Sequence, residues 1–223
     1  MFNYFYNKSL RKLVVGFGSL FNDITVQHAN PDNINSPTTI RVPITYAPQE
    51  KFIRRLLEPS SIQDGTRIET QLPKMSYIMS SLNVDPSRRR SKSFEVKSYD
   101  SSPQGTCDQS SGLEIAEEVP VNVNFTLFIY TRHVDDTLQI IEQIIPYFNP
   151  DHIITLSFNS ARQNINIPLL MVSNNISERA DGDFGSRRLN VSSINFLAKS
   201  YIYGPTRQFT SIENFDIDLD LEF

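Results

Sequence analysis

The sequence predicts an α+β fold in which two amphipathic helices cover a mostly antiparallel or mixed β-sheet. Residues 119–131 alternate between apolar and polar side chains, as a strand with one buried face does. Residues 134–148 and 10–24 instead repeat apolar side chains at helical spacing. Further short alternating runs are separated by turn residues. With 223 residues, the chain is long enough to bury a core without disulfides.

The segment Val119–Pro150 is the predicted centre of the fold. Alternate residues from Val121 to Ile129 share one face of a strand. The apolar face of the following helix is predicted to comprise Val134, Leu138, Ile141, Ile144, Ile145 and Phe148. Its polar face is predicted to comprise Asp135, Asp136, Gln139, Glu142 and Gln143. Thr131, Asp135 and Asp136 are candidate caps or first-turn carboxylates. We therefore predict a strand, a tight turn and a helix folded back onto the sheet.

A second amphipathic helix is predicted near the start of the chain. Its apolar face comprises Leu10, Leu13, Val14, Phe17, Leu20, Phe21 and Ile24. The same run follows basic residues, as in a signal peptide, but it is short, contains Gly16 and Gly18 and lacks a cleavage site. We therefore expect an unprocessed protein made in a reducing cytoplasm.

Aromatic residues crowd the segment before this helix, namely Phe2, Tyr4, Phe5 and Tyr6. Such a tip either packs into its own core or anchors a neighbouring molecule, and the sequence favours neither interpretation.

Shorter patterns predict the remaining elements. Thr39–Tyr46 alternates, and its Pro43 indicates an edge strand or a bulge. Pro48–Glu58 predicts a short helix, in which Arg54 and Arg55 are either solvated residues or docking charges for acidic partners. Further strands are predicted over residues 24–28, 152–158, 164–172 and 188–203. Residues 66–82 predict a long strand or one half of a hairpin, interrupted at Pro73. Residues 174–185 predict a turn, since their acidic residues lack the spacing of a calcium loop.

Residues 83–118 differ in composition from the rest of the chain, being rich in Ser, Asp, Pro, Gln and Gly. We predict a polar insertion loop, mobile on its own, within a single domain of residues 1–223. Its basic run contains Arg88, Arg89 and Arg90. A solvated loop is the more frequent outcome for such a run, and contact with phosphates or an acidic protein surface is the alternative.

The last residues show the most regular pattern in the chain. Every odd position from 215 to 223 is apolar, and the residues are Phe215, Ile217, Leu219, Leu221 and Phe223. Every even position between them is acidic, which predicts a strand at about 213–223 with one apolar and one acidic face. This strand either completes its own sheet or joins an open sheet edge on another subunit, and we slightly favour the second.

No pattern in the sequence indicates catalysis or a cofactor. It contains neither a phosphate-binding glycine loop nor a nucleophile motif, and its single Cys107 excludes an internal disulfide or a cysteine-based metal cluster. His133 beside Asp135 and Asp136 is better explained as a helix start than as an acid–base site. We expect no enzyme activity, cofactor or metal. The net charge of −4 argues against sequence-specific nucleic acid, and no apolar run approaches membrane-spanning length.

Several stretches resemble the tail sheath stabiliser and completion proteins (proximal tail terminators) of T-even-like contractile-tailed bacteriophages. They are residues 1–21, Ile40–Phe52, Ile68–Ser76, Phe128–Pro150 and Ser177–Arg188. The resemblance follows the same order along most of the chain. It leaves out residues 83–118 and roughly the last twenty.

The resemblance implies a tail-terminator-like fold and a homohexameric ring at the head-proximal end of the tail. Such a ring caps the tube, stabilises the last ring of the extended sheath and joins the tail to the neck. The implied partners are further copies of the chain, the tail sheath protein, the tail tube terminator and neck or head-completion proteins. The implied location is the virion, after assembly in the host cytoplasm. A tail tube terminator or a head–tail connector subunit is the alternative.

The residues expected at partner interfaces are those of the aromatic tip, the basic positions and the acidic strand. They are Phe2, Tyr4, Phe5, Tyr6, Arg54, Arg55, Arg88, Arg89, Arg90, Phe215, Ile217, Leu219, Leu221 and Phe223. Longer family members continue past the position of Phe223, so the resemblance implies nothing about contacts of their extensions.

Overall fold

The chain forms a curled mixed sheet with two helices across one face, as seen in a computed structural model. The predicted α+β fold class is thereby confirmed. The structure describes residues 4–28, 37–51, 53, 72–90, 96–99, 111–115, 118–156, 164–179, 189–204 and 206–210.

Within these described ranges, two helices and eleven strands have defined bounds. The helices are α1 (Ser9–Ser19) and α2 (Val134–Ile144). The strands are β1 (Thr25–His28), β2 (Thr38–Arg41), β3 (Ile44–Tyr46), β4 (Lys74–Val84), β5 (Val96–Tyr99), β6 (Ser111–Ile115), β7 (Val119–Thr131), β8 (His152–Leu156), β9 (Ile165–Arg179), β10 (Leu189–Ile202) and β11 (Thr206–Thr210). Short 3₁₀ turns cover Pro86–Arg88 and Ile145–Phe148.

The main sheet has the strand order β3-β4-β7-β10-β9-β8. All neighbours are antiparallel except β3 and β4, which run parallel. The long strands β7 and β10 pair along their whole length at its centre. The β1–β2 pair and the order β11-β6-β5 form two smaller sheets. The central position of β7 agrees with its prediction as the middle of the fold.

An aromatic cluster joins α1 to the sheet. The ring of Phe17 stacks on Phe125 of β7 at a centroid distance of 4.4 Å and meets Phe196 of β10 edge-on at 5.4 Å. Phe21 and Phe148 stack at 6.2 Å beside it. Offset and edge-on ring pairs stabilise a core beyond the area they bury. The core therefore lies between α1, α2 and the centre of the sheet.

The glycines of α1 let the helix lie unusually close to the strands. A Cβ atom on Gly18 would overlap the Tyr77 hydroxyl and lie 2.7 Å from its Cζ. That hydroxyl donates a hydrogen bond of 3.0 Å to the carbonyl oxygen of Val14, which fixes the ring against the helix. Gly16 faces β8, and a Cβ there would lie 3.1 Å from Leu156 Cδ2. The two glycines therefore set the height of the helix over the sheet.

The buried face of α2 differs from the predicted one. Its buried residues are Asp136, Thr137, Ile140, Ile141 and Ile144. Val134, Leu138 and Ile145, which were predicted to face the core, are 39%, 44% and 39% exposed. Asp136, which was predicted to face solvent, is 3% exposed. That part of the prediction is wrong, because the helix is rotated about its axis.

Hydrogen bonds to β1 account for this rotation. Gln139 accepts from the Gln27 amide at 2.9 Å and donates back to the Gln27 carbonyl at 3.1 Å. Gln143 makes the same pair of bonds with Thr25, at 3.3 and 2.7 Å. Residues four apart on a helix are separated by about 6 Å, and residues two apart on a strand by roughly 6.6 Å. The two glutamines therefore act as a substitute strand along the edge of β1.

Asp136 completes this contact from the first turn of α2. Its Oδ1 lies 2.8 Å from Nε2 of His28, at the end of β1. The predicted cap residue Thr131 instead bonds to the Thr137 hydroxyl at 2.6 Å. The helix begins after His133, whose side chain makes no capping bond. The polar residues of this turn thus hold β1 against the helix.

Three predicted segments differ from the strands that the structure shows. The run predicted as one strand over Thr39–Tyr46 forms β2 and β3, because the chain leaves β2 at Val42 and Pro43. β9 continues through Arg179, into residues predicted as a turn, since it pairs with β10 along that length. Within the predicted insertion, residues 96–99 and 111–115 are strands. Residues 49–51 and 53 of the predicted helix at Pro48–Glu58 are helical, and the rest lie outside the described residues.

In the described part of the chain, neither helix has the length and apolar character needed to cross a membrane.

We expect Gly18→Ala to destabilise the fold by about 1–3 kcal/mol. The added methyl group meets the Tyr77 ring, which packs on Phe17 and whose hydroxyl is bonded to Val14. Gly16→Ala is the matched control on the same helix. Its methyl group meets the flexible end of Leu156, and alanine gains up to about 1 kcal/mol in helix propensity. Chemical denaturation measures both free energies of unfolding. Equal effects of the two substitutions would contradict the close contact between Gly18 and Tyr77.

Candidate assembly surfaces

The described part of the aromatic tip, residues 4–6, is exposed instead of packing into the core. The side chains of Tyr4, Phe5 and Tyr6 are 94%, 49% and 56% exposed. The Asn7 side chain donates hydrogen bonds to the carbonyl oxygens of Tyr203 and Gly204, at 2.9 and 3.2 Å. The segment is therefore fastened at its base and exposed beyond it. These three side chains are therefore not part of the core. Exposed aromatic rings of this kind are suited to anchoring a neighbouring molecule.

The first residue of the basic run has partners within the subunit. Arg88 Nε lies 2.8 Å from Oδ2 of Asp85, and its terminal nitrogen donates to Asn122 Oδ1 at 2.8 Å. It also bonds to the Val121 carbonyl at 3.1 Å, and its guanidinium lies 5.2 Å from the centroid of the Tyr201 ring. Arg88 thus ties the end of β4 to β7 and β10. The structure favours an internal role for Arg88, while Arg89 and Arg90 have exposed side chains.

Asp85 is the acidic centre of this contact. Its carboxylate accepts bonds from the Ser87 hydroxyl and from Arg88, and these bonds hold the pKa of Asp85 well below its ordinary value of 3.8. Its side chain is 13% exposed, and it also caps the 3₁₀ turn at the Ser87 amide. Hydrogen bonds that favour the charged form lower a carboxyl pKa in this way. The ionised Asp85 carboxylate therefore stabilises the 3₁₀ turn at Pro86–Arg88.

The other expected interface residues lie outside the described residues. They are Phe2, Arg54, Arg55, Phe215, Ile217, Leu219, Leu221 and Phe223. Their roles stay predictions.

The sequence analysis did not predict two exposed features, an apolar stripe and a pair of sheet edges. The first is the exposed stripe formed by Val134 and Leu138 on α2 and by Ile145 directly after it, which the rotation of the helix turns outward. Helical spacing indicates which residues share a face but not where that face points. The second is the pair of offset sheet edges. Among the described residues, β3 pairs only with Met75–Tyr77 and β8 only with Ile165–Leu169, so the far ends of β4 and β9 lack an outer partner strand.

No side-chain arrangement in the described part of the chain suggests catalysis. No three His, Cys, Asp or Glu side chains converge there as a metal site would require. A cavity of about 530 Å³ lies where α1 and α2 end, and its wall is mostly apolar, with Asp23, Glu142 and His152 at its edges. His133 does not line this cavity. Exposed rings and strand edges without an outer partner, both present among the described residues, are features of contact surfaces.

Comparison with known proteins identifies the class to which this fold belongs. A family model described as the T4-like virus Myoviridae tail sheath stabiliser matches residues 4–222. The chain therefore belongs to the tail sheath stabiliser family of T4-like phages, and the resemblance seen in the sequence is confirmed.

A curated relative makes the comparison more specific. The chain is 32% identical over 212 residues to the tail completion protein gp15 of Enterobacteria phage T4. The match covers 92% of this chain and 74% of that protein. It thus includes nearly the whole of the described fold.

We expect the contribution of Asp85 to stability to depend on pH. The pKa of Asp85 is lower in the folded chain than in the unfolded chain. Its contribution to stability is therefore complete at pH values above the pKa in the unfolded chain, and it is lost as the pH falls through the pKa in the folded chain. The difference in unfolding free energy between the wild type and Asp85→Asn should be constant from about pH 7 to about pH 5 and shrink below about pH 4.

Asp23→Asn is the matched control for this titration. Asp23 pairs with Arg41 at 3.1 Å, but its side chain is 95% exposed, and exposed pairs contribute little. Urea denaturation across this pH range measures both variants. A difference that persists unchanged at the lowest pH would contradict the ionised contact at Asp85.

Proposed function

We propose that the chain forms a homohexameric ring at the head-proximal end of a contractile phage tail. There the ring caps the tail tube, stabilises the last ring of the extended sheath and joins the tail to the neck. The family match over residues 4–222 is the observation that carries this proposal, because it places the chain among tail sheath stabilisers. The name of the T4 relative, a tail completion protein, supports a role at the end of tail assembly.

The geometry of the subunit supports ring formation. A ring closes through head-to-tail contacts, so each subunit needs two different surfaces that fit each other. The exposed aromatic tip before α1 and the open sheet edges are different surfaces on one rigid core. Exposed aromatics and unpaired strand edges are also the features that proteins use most readily for association.

The proposed role is structural and requires neither catalysis nor a cofactor. The partners are further copies of the chain, the tail sheath protein, the tail tube terminator and neck or head-completion proteins. Arg89 and Arg90 carry exposed charges that suit an acidic partner surface. The protein is located in the tail of the virion, which is assembled in the host cytoplasm.

A tail tube terminator or a head–tail connector subunit is the second candidate function. Both also form rings and use the same kind of heterologous contact. They differ from the first candidate in lacking the contact with the sheath. The experiment therefore has to separate binding to the sheath from binding to the tube.

We expect the purified chain to bind one end of tails assembled without a sheath stabiliser and to keep their sheaths extended. Electron microscopy counts capped and contracted tails with and without the chain. Tubes without sheath are the matched control. Binding that needs the sheath supports the proposed role, whereas equal binding to bare tubes selects the tube terminator. No binding to either particle contradicts the family role.

We expect the triple substitution of Tyr4, Phe5 and Tyr6 by serine to weaken ring assembly without unfolding the chain. These side chains are exposed, so the free energy of unfolding should change by roughly 0.5 kcal/mol or less. Loss of interface anchors should cost about 2 kcal/mol or more of association, which is roughly 30-fold. Sedimentation over a concentration series measures the assembly.

Tyr147→Ser is the control for the aromatic tip, since it removes a ring that is 70% exposed after α2. If the triple variant assembles at the same concentrations as the wild type, the aromatic tip is not part of the interface. That result would not contradict the ring itself.

A further inference from the structure

A basic groove runs along the outer side of α1, next to the edge of the main sheet. Its volume is about 800 Å³. One wall is formed by Lys8, directly before α1, and by Arg11, Lys12 and Val15 on α1, and the other by the strand β8. The groove thus combines a helix face with a strand edge.

The strand side of the groove has room for another strand. β8 is the last strand of the six-stranded sheet and pairs only with β9 among the described residues. Its outer backbone groups therefore point into the groove, where they can bond to an extended chain. The five residues of β8 span about 16 Å, and the eleven residues of α1 span about the same length. The two walls of the groove are therefore equally long.

The two faces of an added strand would meet different surroundings. Ile154 and Leu156 lie on the α1 side of β8, since both approach Gly16. Ile153 lies on the opposite side and is 56% exposed. Side chains alternate between the faces of a sheet, so one face of an added strand would lie beside the basic stripe and the other beside Ile153. The groove therefore fits a strand with one acidic and one apolar face.

The chain carries such a segment at residues 215–223. Its acidic positions are Asp216, Asp218, Asp220 and Glu222, and its apolar positions alternate with them. No Asp or Glu lines the groove in the described part of the chain, so the charges of segment and groove are complementary. We propose that residues 215–223 of one copy add to the edge of β8 in the next copy, with their carboxylates facing Lys8 and Arg11.

A second copy is the occupant that a ring requires. A strand of one subunit inserted into the groove of the next is a heterologous contact, and repetition of that contact closes the ring. The inference thus rests on the proposed ring and names the surface through which the ring closes.

Two charge-reversed variants of the full chain test this inference. The groove variant carries Lys8→Glu and Arg11→Glu, and the strand variant carries Asp218→Lys and Asp220→Lys. At the substituted positions, each variant alone places like charges on segment and groove. We expect each to need at least about tenfold higher concentration for ring assembly, measured by mass photometry. Circular dichroism checks that both are folded, as expected where Lys8 and Arg11 are exposed.

The decisive measurement is an equimolar mixture of the two variants. When they alternate around a ring, every contact joins opposite charges at the substituted positions, so assembly should return to wild-type concentrations. Lys51→Glu with Arg132→Glu is the matched control, because it makes the same change in net charge at exposed positions elsewhere and should leave assembly unchanged.

Two outcomes would overturn the inference. Wild-type assembly by either variant alone would show that groove and segment do not meet. Failure of the mixture as well as of both single variants would indicate that the segment pairs within its own subunit. Both outcomes leave the tail-binding role of the wild-type chain intact, whereas a wild type that neither forms rings nor binds tails would remove the proposed function itself.

Discussion

The close approach of α1 to the sheet is the constraint on which the rest of the structure depends. Gly18 leaves space for the Tyr77 ring, and the Tyr77 hydroxyl bonds back to the helix at Val14. This contact lets Phe17 reach the centre of the sheet and stack on Phe125. Because the buried side of the helix is fixed, its outer stripe is fixed as well. The contact between Gly18 and Tyr77 therefore determines both which residues of α1 are buried in the core and which face outward.

Polar contacts hold the second helix and the edges of the domain in the same way. The two glutamines of α2 bond to the backbone of β1, and Asp136 bonds to His28 beside them. Arg88 joins the end of β4 to β7 through Asp85 and Asn122. These contacts join elements whose apolar faces are modest, so polar side chains decide how those elements are positioned.

The sequence was informative where a pattern depends on one element alone. Alternation in β7 and helical spacing in α1 and α2 predicted those elements, and the resemblance predicted the family. The rotation of α2 was not predictable from helical spacing, because Gln139 and Gln143 bind a strand more than a hundred residues away. Likewise, the composition around Arg88 suggested a loop, while its partners come from β7 and β10. The groove beside β8 needs the strand order, which no local pattern contains.

The central claim is that the domain assembles into a ring through the aromatic tip and residues 215–223. A high-resolution cryo-electron microscopy map of the assembled ring tests this claim most directly. Our account predicts six subunits, with residues 215–223 of each lying along β8 of its neighbour. A map in which these residues cover the sheet of their own subunit, or in which the particle is not a ring, would contradict it.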